Sequence, residues 1–203
     1  MNPYYWTIYH IARLIGRVFF RLRVVHGERM LQSGAVILAA NHQSFLDPPL
    51  LGSAANRAIF FLAKKELMRV WWLGWLLPKL NVIPVELEGT DRSALKTLIR
   101  LLRAGESVLL FPEGGRTPDG NLQPGLPGIG LIIAKTLAPV VPMRIFGANE
   151  AWPLGGRLQL HPITIVVGEP IIFTQADLQP RSKELYGRLS QRVMDSIAAL
   201  QVE

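Results

Sequence analysis

The 203-residue chain contains no cysteine. That excludes disulfides, a thiolate nucleophile and cysteine metal sites, and it gives no reason to place the chain in an oxidising compartment. Acidic residues are also scarce: 15 against 22 lysines and arginines, for a formal net charge of +7. Such a balance favours partners that carry phosphate, whether lipid head groups, a phosphorylated carrier or nucleic acid, without choosing among them. Long apolar runs are missing as well. No uncharged stretch approaches the roughly 20 residues that a spanning helix needs, and the N-terminus lacks the order of a cleavable signal. Membrane contact is therefore expected to be peripheral, on the cytoplasmic face. The Gly-Lys-Ser/Thr ending of a P-loop and the aromatic motifs of RNA-binding modules are absent, so nucleic acid is not an expected partner.

What the chain has in quantity is apolar residues, 49% of the total, enough to bury one substantial core. Short β-rich runs occur at Ala35 to Ala40, Ala58 to Leu62, Val82 to Val85, Ser107 to Phe111, Val140 to Met143 and Ile163 to Val167. Helical patterns lie between them. One starts near Asp91, a good N-cap, carries Leu95, Leu98, Ile99 and Leu102 on one face and stops at Gly105; others run from about Gly128 to Leu137 and from Ser182 to Leu200. This alternation predicts a single α/β domain with a mostly parallel central sheet flanked by helices, and places ligand sites at the carboxyl ends of strands.

Two strand ends carry candidate chemistry. The run Ala35 to Ala40 leads directly into Asn41-His42-Gln43-Ser44-Phe45-Leu46-Asp47-Pro48-Pro49. On a regular helix His42 and Asp47 would sit about 140° apart, but in a strand-to-helix turn Asp47 can fold back onto one ring nitrogen of His42. The other nitrogen is then a general base for a hydroxyl or water, and the carboxylate stabilises the imidazolium that forms. Capping offers a structural reading compatible with this one: Ser44 with Asp47 fits a capping box, and Asp47 before Pro48 fits an N-cap followed by proline. Two ligands make a poor metal site, so no metal is expected.

At the second strand end, Ser107 to Phe111 leads into Pro112-Glu113-Gly114-Gly115-Arg116-Thr117. Adjacent glycines let backbone amides approach a ligand, and Arg116 offers a planar fork for phosphate or carboxylate. A surface loop needing glycine for its turn is the alternative.

Together these segments resemble the glycerolipid acyltransferases typified by 1-acyl-glycerol-3-phosphate acyltransferase. Asn41 to Asp47 resembles the family's His-x-x-x-x-Asp motif, Phe111 to Thr117 its Phe-Pro-Glu-Gly-Thr-Arg-Ser motif, and Val140 to Met143 its fourth motif. The resemblance implies His42 as base, Asp47 as its orienting partner, and Glu113, Gly114, Gly115 and Arg116 as the acceptor-binding loop. It implies acyl transfer from acyl-CoA or acyl carrier protein, used as donor substrate with no further cofactor, to a lysolipid hydroxyl, with 1-acyl-sn-glycerol-3-phosphate the leading acceptor. Alternatives are a less charged or amino lipid acceptor, or thioester hydrolysis. An acyl-Ser44 intermediate is a minor route, since the Gly-x-Ser-x-Gly elbow is missing. The chain departs from the family pattern at Leu87, where an arginine is usual, near Gln123, where a lysine is usual, and at Gly115, where threonine is usual. Arg92 and Arg144 are the basic residues that could replace the lost charge, with surface ion pairing as their other role.

The N-terminal 23 residues are expected to form a membrane-associating amphipathic helix ahead of an acyltransferase domain from 24 to 203. Tyr4 to Val24 contains no acidic residue and sets Ile8, Ile11, Ile15, Val18 and Leu22 opposite Arg13, Arg17 and Arg21; docking on the domain is the other fate of such a stripe. Trp71, Trp72 and Trp75, among Lys64, Lys65, Arg69 and Lys79, suggest a second interfacial element, with core packing as the alternative.

Overall fold

In the computed structural model, residues 3–86 and 92–202 are described. Helix α1 (Pro3–Phe19) is followed by β1 (Arg23–Val25), β2 (Val36–Ala40), α2 (Asp47–Ala54), β3 (Phe60–Lys64), α3 (Trp71–Leu76) and β4 (Val82–Val85). Then come α4 (Arg92–Arg103), β5 (Ser107–Leu110), α5 (Pro127–Thr136), β6 (Val140–Phe146), α6 (Ala148–Ala151), β7 (Thr164–Val167) and α7 (Leu185–Ala198). The seven strands form one sheet in the order β1-β7-β6-β2-β5-β3-β4. Every pairing is parallel except β6 with β7.

Strand β2 lies at the centre, between β5 and β6, and all five of its residues are buried. This explains why its sequence is continuously apolar rather than alternating: both faces are covered. Val36, Leu38 and Ala40 face a core shared with Leu50 and Leu51 of α2 and with Phe20. Ile37 and Ala39 face the opposite core, with Leu98 and Leu102 of α4, Ile133 of α5 and Val193 of α7. The stripe read along α4 does cover the sheet. The helix ends before Gly105, whose φ of 83° no other residue adopts without cost. Asp91, the expected N-cap, lies outside the described residues, as does Leu87.

Several boundaries shift, each for a local reason. The strand expected from Ala58 begins at Phe60, because the Ile59 amide donates to the Tyr5 hydroxyl (3.0 Å). The strand expected from Ile163 begins at Thr164, because the Ile163 amide donates to the Phe20 carbonyl. β6 runs three residues beyond Met143, since β7 pairs with Arg144 to Phe146. The N-terminal helix stops at Phe19 instead of Arg23: Arg21 turns left-handed (φ 45°) and Arg23 to Val25 add a short edge strand along β7.

Helix α1 has one docked face and one exposed face. It docks through Tyr5, Tyr9 and Gly16, which are buried, while Ile11, Leu14, Ile15, Val18 and Phe19 remain exposed. Of the stripe read in the sequence, Ile11, Ile15 and Val18 are thus free, whereas Ile8 lines an apolar cavity and Leu22 packs against the core. At α3, Trp71 is 84% exposed and Trp72 and Trp75 are also exposed. Lys79 lies over the Trp75 ring at 3.2 Å, and Tyr4 meets the same ring edge-on. Among the described residues no helix is long and apolar enough to cross a membrane.

Candidate active site

The central strand delivers Asn41 to the rim of the sheet, and Asn41 continues the ladder with its side chain. Its Oδ1 accepts from the Ile145 amide (2.8 Å) and its Nδ2 donates to the Ile145 carbonyl (3.1 Å). The chain then turns into α2. Asp47, the first residue of α2, is 0% exposed and folds back on this turn. Its Oδ2 accepts from His42 Nδ1 at 2.8 Å, from the Gln43 amide at 2.6 Å and from the Ser44 amide at 2.7 Å. The two backbone bonds belong to the turn ahead of α2: its N-cap position is Leu46, which has no side-chain capping bond, so Asp47 serves the turn and His42 from the first helical position and is not the N-cap that the sequence suggested. All three donors meet on one oxygen. Oδ1 is buried and has no hydrogen-bond partner among the described residues.

With its Nδ1 proton donated to Asp47, His42 carries its lone pair on Nε2. The imidazole stacks on Phe111 with centroids 3.9 Å apart and planes 14° from parallel. Orientation is therefore fixed from two directions, by a hydrogen bond in the ring plane and by a ring beneath it. The His42 ring stays partly open to solvent, as a base that must meet a substrate requires.

The second loop closes around the first. Glu113 is buried, and its two carboxylate oxygens accept from two backbone amides, Oε1 from His42 (2.9 Å) and Oε2 from Gln123 (3.0 Å). Burial pushes its carboxyl above the ordinary carboxylate range, against those hydrogen bonds. Thr117 then donates its amide to the His42 carbonyl (2.8 Å). Both backbone polar groups of His42 are held by the Glu113 loop. Gly114 has φ 74°, and a Cβ there would meet Leu126 Cδ1 at 2.3 Å; a Cβ on Gly115 would meet nothing within 4 Å. Threonine at 115 would fit the space, so its absence has no steric cause.

Arg116 does reach the site. Its guanidinium lies over the Phe45 ring, 3.5 Å from the centroid. Nη1 is buried without a hydrogen-bond partner among the described residues, and desolvation lowers the pKa, against the attraction of Asp47. Arg144 is elsewhere: its Nη1 donates to the Ala198 and Leu200 carbonyls at the end of α7, which rules it out as a replacement for the missing charge. Ser44 is likewise committed, buried with its hydroxyl donated to the Trp152 carbonyl (2.9 Å), and is not placed as a nucleophile. Among the described residues the Gln123 side chain makes only neutral contacts, its Nε2 donating to the Asn121 carbonyl and the Thr117 hydroxyl.

Beside this site opens an apolar cavity of about 550 Å³, within the usual range for ligand pockets. Phe45, Pro48 and Trp152 line the side nearest the His42 turn, Tyr9 comes from α1, and Trp72 and Leu73 from α3. Trp152 was not legible in this role, because only the tertiary fold brings the end of α6 to the His42 turn. Among the described residues no three His, Asp or Glu side chains come together as a metal site.

A mostly parallel sheet with a carboxylate-backed imidazole at its central strand end, next to an apolar cavity, is the arrangement of a protein that can activate a hydroxyl or water beside an apolar ligand. The chain belongs to the acyltransferase family: the family model described as Acyltransferase matches residues 22–146. It is 30% identical over 180 residues to the 1-acyl-sn-glycerol-3-phosphate acyltransferase of Bacillus subtilis (strain 168), covering 86% of this chain and 87% of that protein. It is 34% identical over 146 residues to a chloroplastic 1-acyl-sn-glycerol-3-phosphate acyltransferase of Brassica napus, covering 70% of this chain. The chain spans about half the length of the chloroplastic relatives it matches, 42% and 54%. A crystal structure of the 1-acyl-sn-glycerophosphate (LPA) acyltransferase PlsC from Thermotoga maritima aligns with a TM-score of 0.74 at 27% identity, covering 98% of this chain and 81% of that one.

Proposed function

We propose that the protein is an O-acyltransferase that moves a fatty acyl group from a thioester, acyl-CoA or acyl carrier protein, to a lysolipid hydroxyl. The leading acceptor is 1-acyl-sn-glycerol-3-phosphate, which gives phosphatidate. The observation that carries this reading is the His42 to Asp47 contact of 2.8 Å on the turn whose Phe45 and Pro48 line the apolar cavity. His42 Nε2 removes the acceptor hydroxyl proton while the oxygen attacks the thioester carbonyl. Asp47 stabilises the imidazolium, and the tetrahedral oxyanion collapses with loss of the carrier thiolate, which takes the proton from His42. The cavity holds an acyl chain, and Arg116 is the cation available to the acceptor phosphate.

The site is proposed to work at a membrane surface, on its cytoplasmic face, with residues 1–23 as the membrane-associating segment. The exposed aliphatic stripe of α1 and the exposed tryptophans of α3 support this.

A second reading keeps acyl transfer but changes the acceptor to a less charged or amino lysolipid. Gln123 favours it: where the family pattern has a lysine, this side chain makes only neutral contacts among the described residues. Purified protein with labelled acyl-CoA or acyl carrier protein and a panel of lysolipids tests both. Phosphatidate as the dominant product supports the first reading, and preference for zwitterionic or amino acceptors supports the second. Free fatty acid as the only product would mean hydrolysis and would sink both.

A further inference from the structure

Phe45 is about half exposed, at 49%, an unfavourable place for a phenyl ring unless it has work there. One face carries the Arg116 guanidinium at 3.5 Å from the centroid. The ring also lies against Trp152, with centroids 5.4 Å apart, and it lines the apolar cavity. Phe45 therefore stands between the one cation of the Glu113 loop and the space for an acyl chain. The Arg116 backbone is fixed nearby, because its neighbour Thr117 is bonded to His42. The side chain is not: its buried Nη1 has no hydrogen-bond partner among the described residues, and no ion pair with Arg116 occurs among them. The aromatic face is the contact that orients the guanidinium.

We propose that Phe45 is a positioning residue for acceptor recognition, holding the Arg116 guanidinium flat so that its N–H edge faces the acceptor's phosphate. This rests on the reading of Arg116 as the phosphate contact. A guanidinium stacked on a ring keeps all five N–H groups in its plane, available for in-plane, bidentate bonding to an oxyanion. The ring also excludes water from one face, which strengthens the attraction between the cation and an incoming phosphate. The contact with Trp152 braces the ring from α6, and the same ring then separates the polar head of the acceptor from the apolar cavity. Asp47 lies close enough to attract Arg116 electrostatically, so a guanidinium held against Phe45 is also one kept in place beside the dyad carboxylate without bonding to it.

The test uses the full chain with 1-acyl-sn-glycerol-3-phosphate in mixed micelles and a saturating acyl donor. Four variants are compared with the wild type: Phe45→Leu, which keeps apolar bulk and removes the aromatic face, Phe45→Trp, Arg116→Ala, and Phe45→Leu combined with Arg116→Ala. Phe45→Leu is expected to raise acceptor KM by roughly 3- to 30-fold, the range of a partly desolvated cation–π contact, with a much smaller change in kcat. Phe45→Trp restores the wild-type KM. In the Arg116→Ala background, Phe45→Leu adds little. An equal KM rise with and without Arg116 would overturn the proposal, showing that Phe45 acts on the acceptor independently. So would a fall in kcat at constant KM, which would place its effect on the dyad. If Arg116→Ala alone leaves KM unchanged, the phosphate reading of Arg116 itself fails, and the Phe45 proposal goes with it.

Discussion

Glu113 accepts the backbone N–H of His42, and the two residues are 71 positions apart in the chain. The carboxylate also accepts the Gln123 amide, so it joins three segments at one point without touching the imidazole. Glutamine at 113 keeps one acceptor but turns a donor toward the second amide. Glu113→Gln is therefore expected to cost about 1–3 kcal/mol, the penalty for a buried group left unpaired. Urea unfolding measures this directly, and a variant as stable as the wild type would show that the two bonds are not held in solution.

Asp47→Asn separates chemistry from folding. An asparagine carbonyl can occupy the Oδ2 position and accept the Gln43 and Ser44 amides, while the amide nitrogen takes the place of Oδ1, which has no partner to lose. The fold should survive, with Tm lowered by a few degrees. Turnover should fall by about 10²- to 10⁴-fold, because a neutral amide does not stabilise imidazolium. Steady-state rates beside thermal melts distinguish this outcome from simple unfolding.

Adjacent glycines should respond oppositely. Gly114→Ala forces a Cβ into Leu126 at a left-handed φ and should destabilise by more than the roughly 1–2 kcal/mol of the backbone term alone. Gly115→Thr, which enters open space, should stay within about 0.5 kcal/mol of the wild type. Equal effects in denaturant titrations would contradict the loop geometry.

Asp119 provides a pH prediction. Bonds from the Asn121 amide group, the Thr117 hydroxyl and the Asn121 backbone hold its pKa down from 3.8 to about 2. A depressed carboxyl favours the folded state above its unfolded pKa, and that contribution is lost as pH falls from near 4 through about 2. Asp119→Asn should thus unfold with a shallower dependence on pH in this window, seen in acid titrations followed by circular dichroism. A carboxyl of Asp119 that titrates near 4 by NMR would refute the assignment.

The exposed stripe of α1 is testable without touching its docking face. Replacing Ile11, Leu14, Ile15 and Val18 together by serine should abolish sedimentation with anionic vesicles, while Tyr5, Tyr9 and Gly16 keep the helix on the domain. Unchanged vesicle binding would assign the membrane contact to another surface.

Much of this architecture was readable in the sequence. The run before Asn41 identified a strand covered on both faces, and the polar residues directly after it located the site, because a parallel sheet leaves its chemistry at strand ends. The contact between His42 and Asp47 followed from reading the segment as a turn and not as a helix. What the sequence did not reveal lies in long-range pairing. β1 has only three residues and exists because Thr164 to Val166 are available beside it. The docking face of α1 was not legible because Tyr5 and Tyr9 reach inward while Ile11, Ile15 and Val18 stay outside. The part played by Glu113 was hidden for the same reason: nothing in a glutamate beside two glycines reveals that its partner is an amide 71 residues earlier.

The hydrogen bonds between Asn41 and Ile145 span 104 residues, and this has a temporal consequence. At about 5–20 residues per second of synthesis, Asn41 waits roughly 5–20 s for its partner to be made. During that interval the centre of the sheet lacks β6 and the His42 turn has no rim to sit on. The α1 segment is already synthesised throughout, and its exposed face needs no distant strand. If α1 makes the membrane contact proposed above, a nascent chain can reach a lipid surface before the turn carrying His42 and Asp47 has its rim.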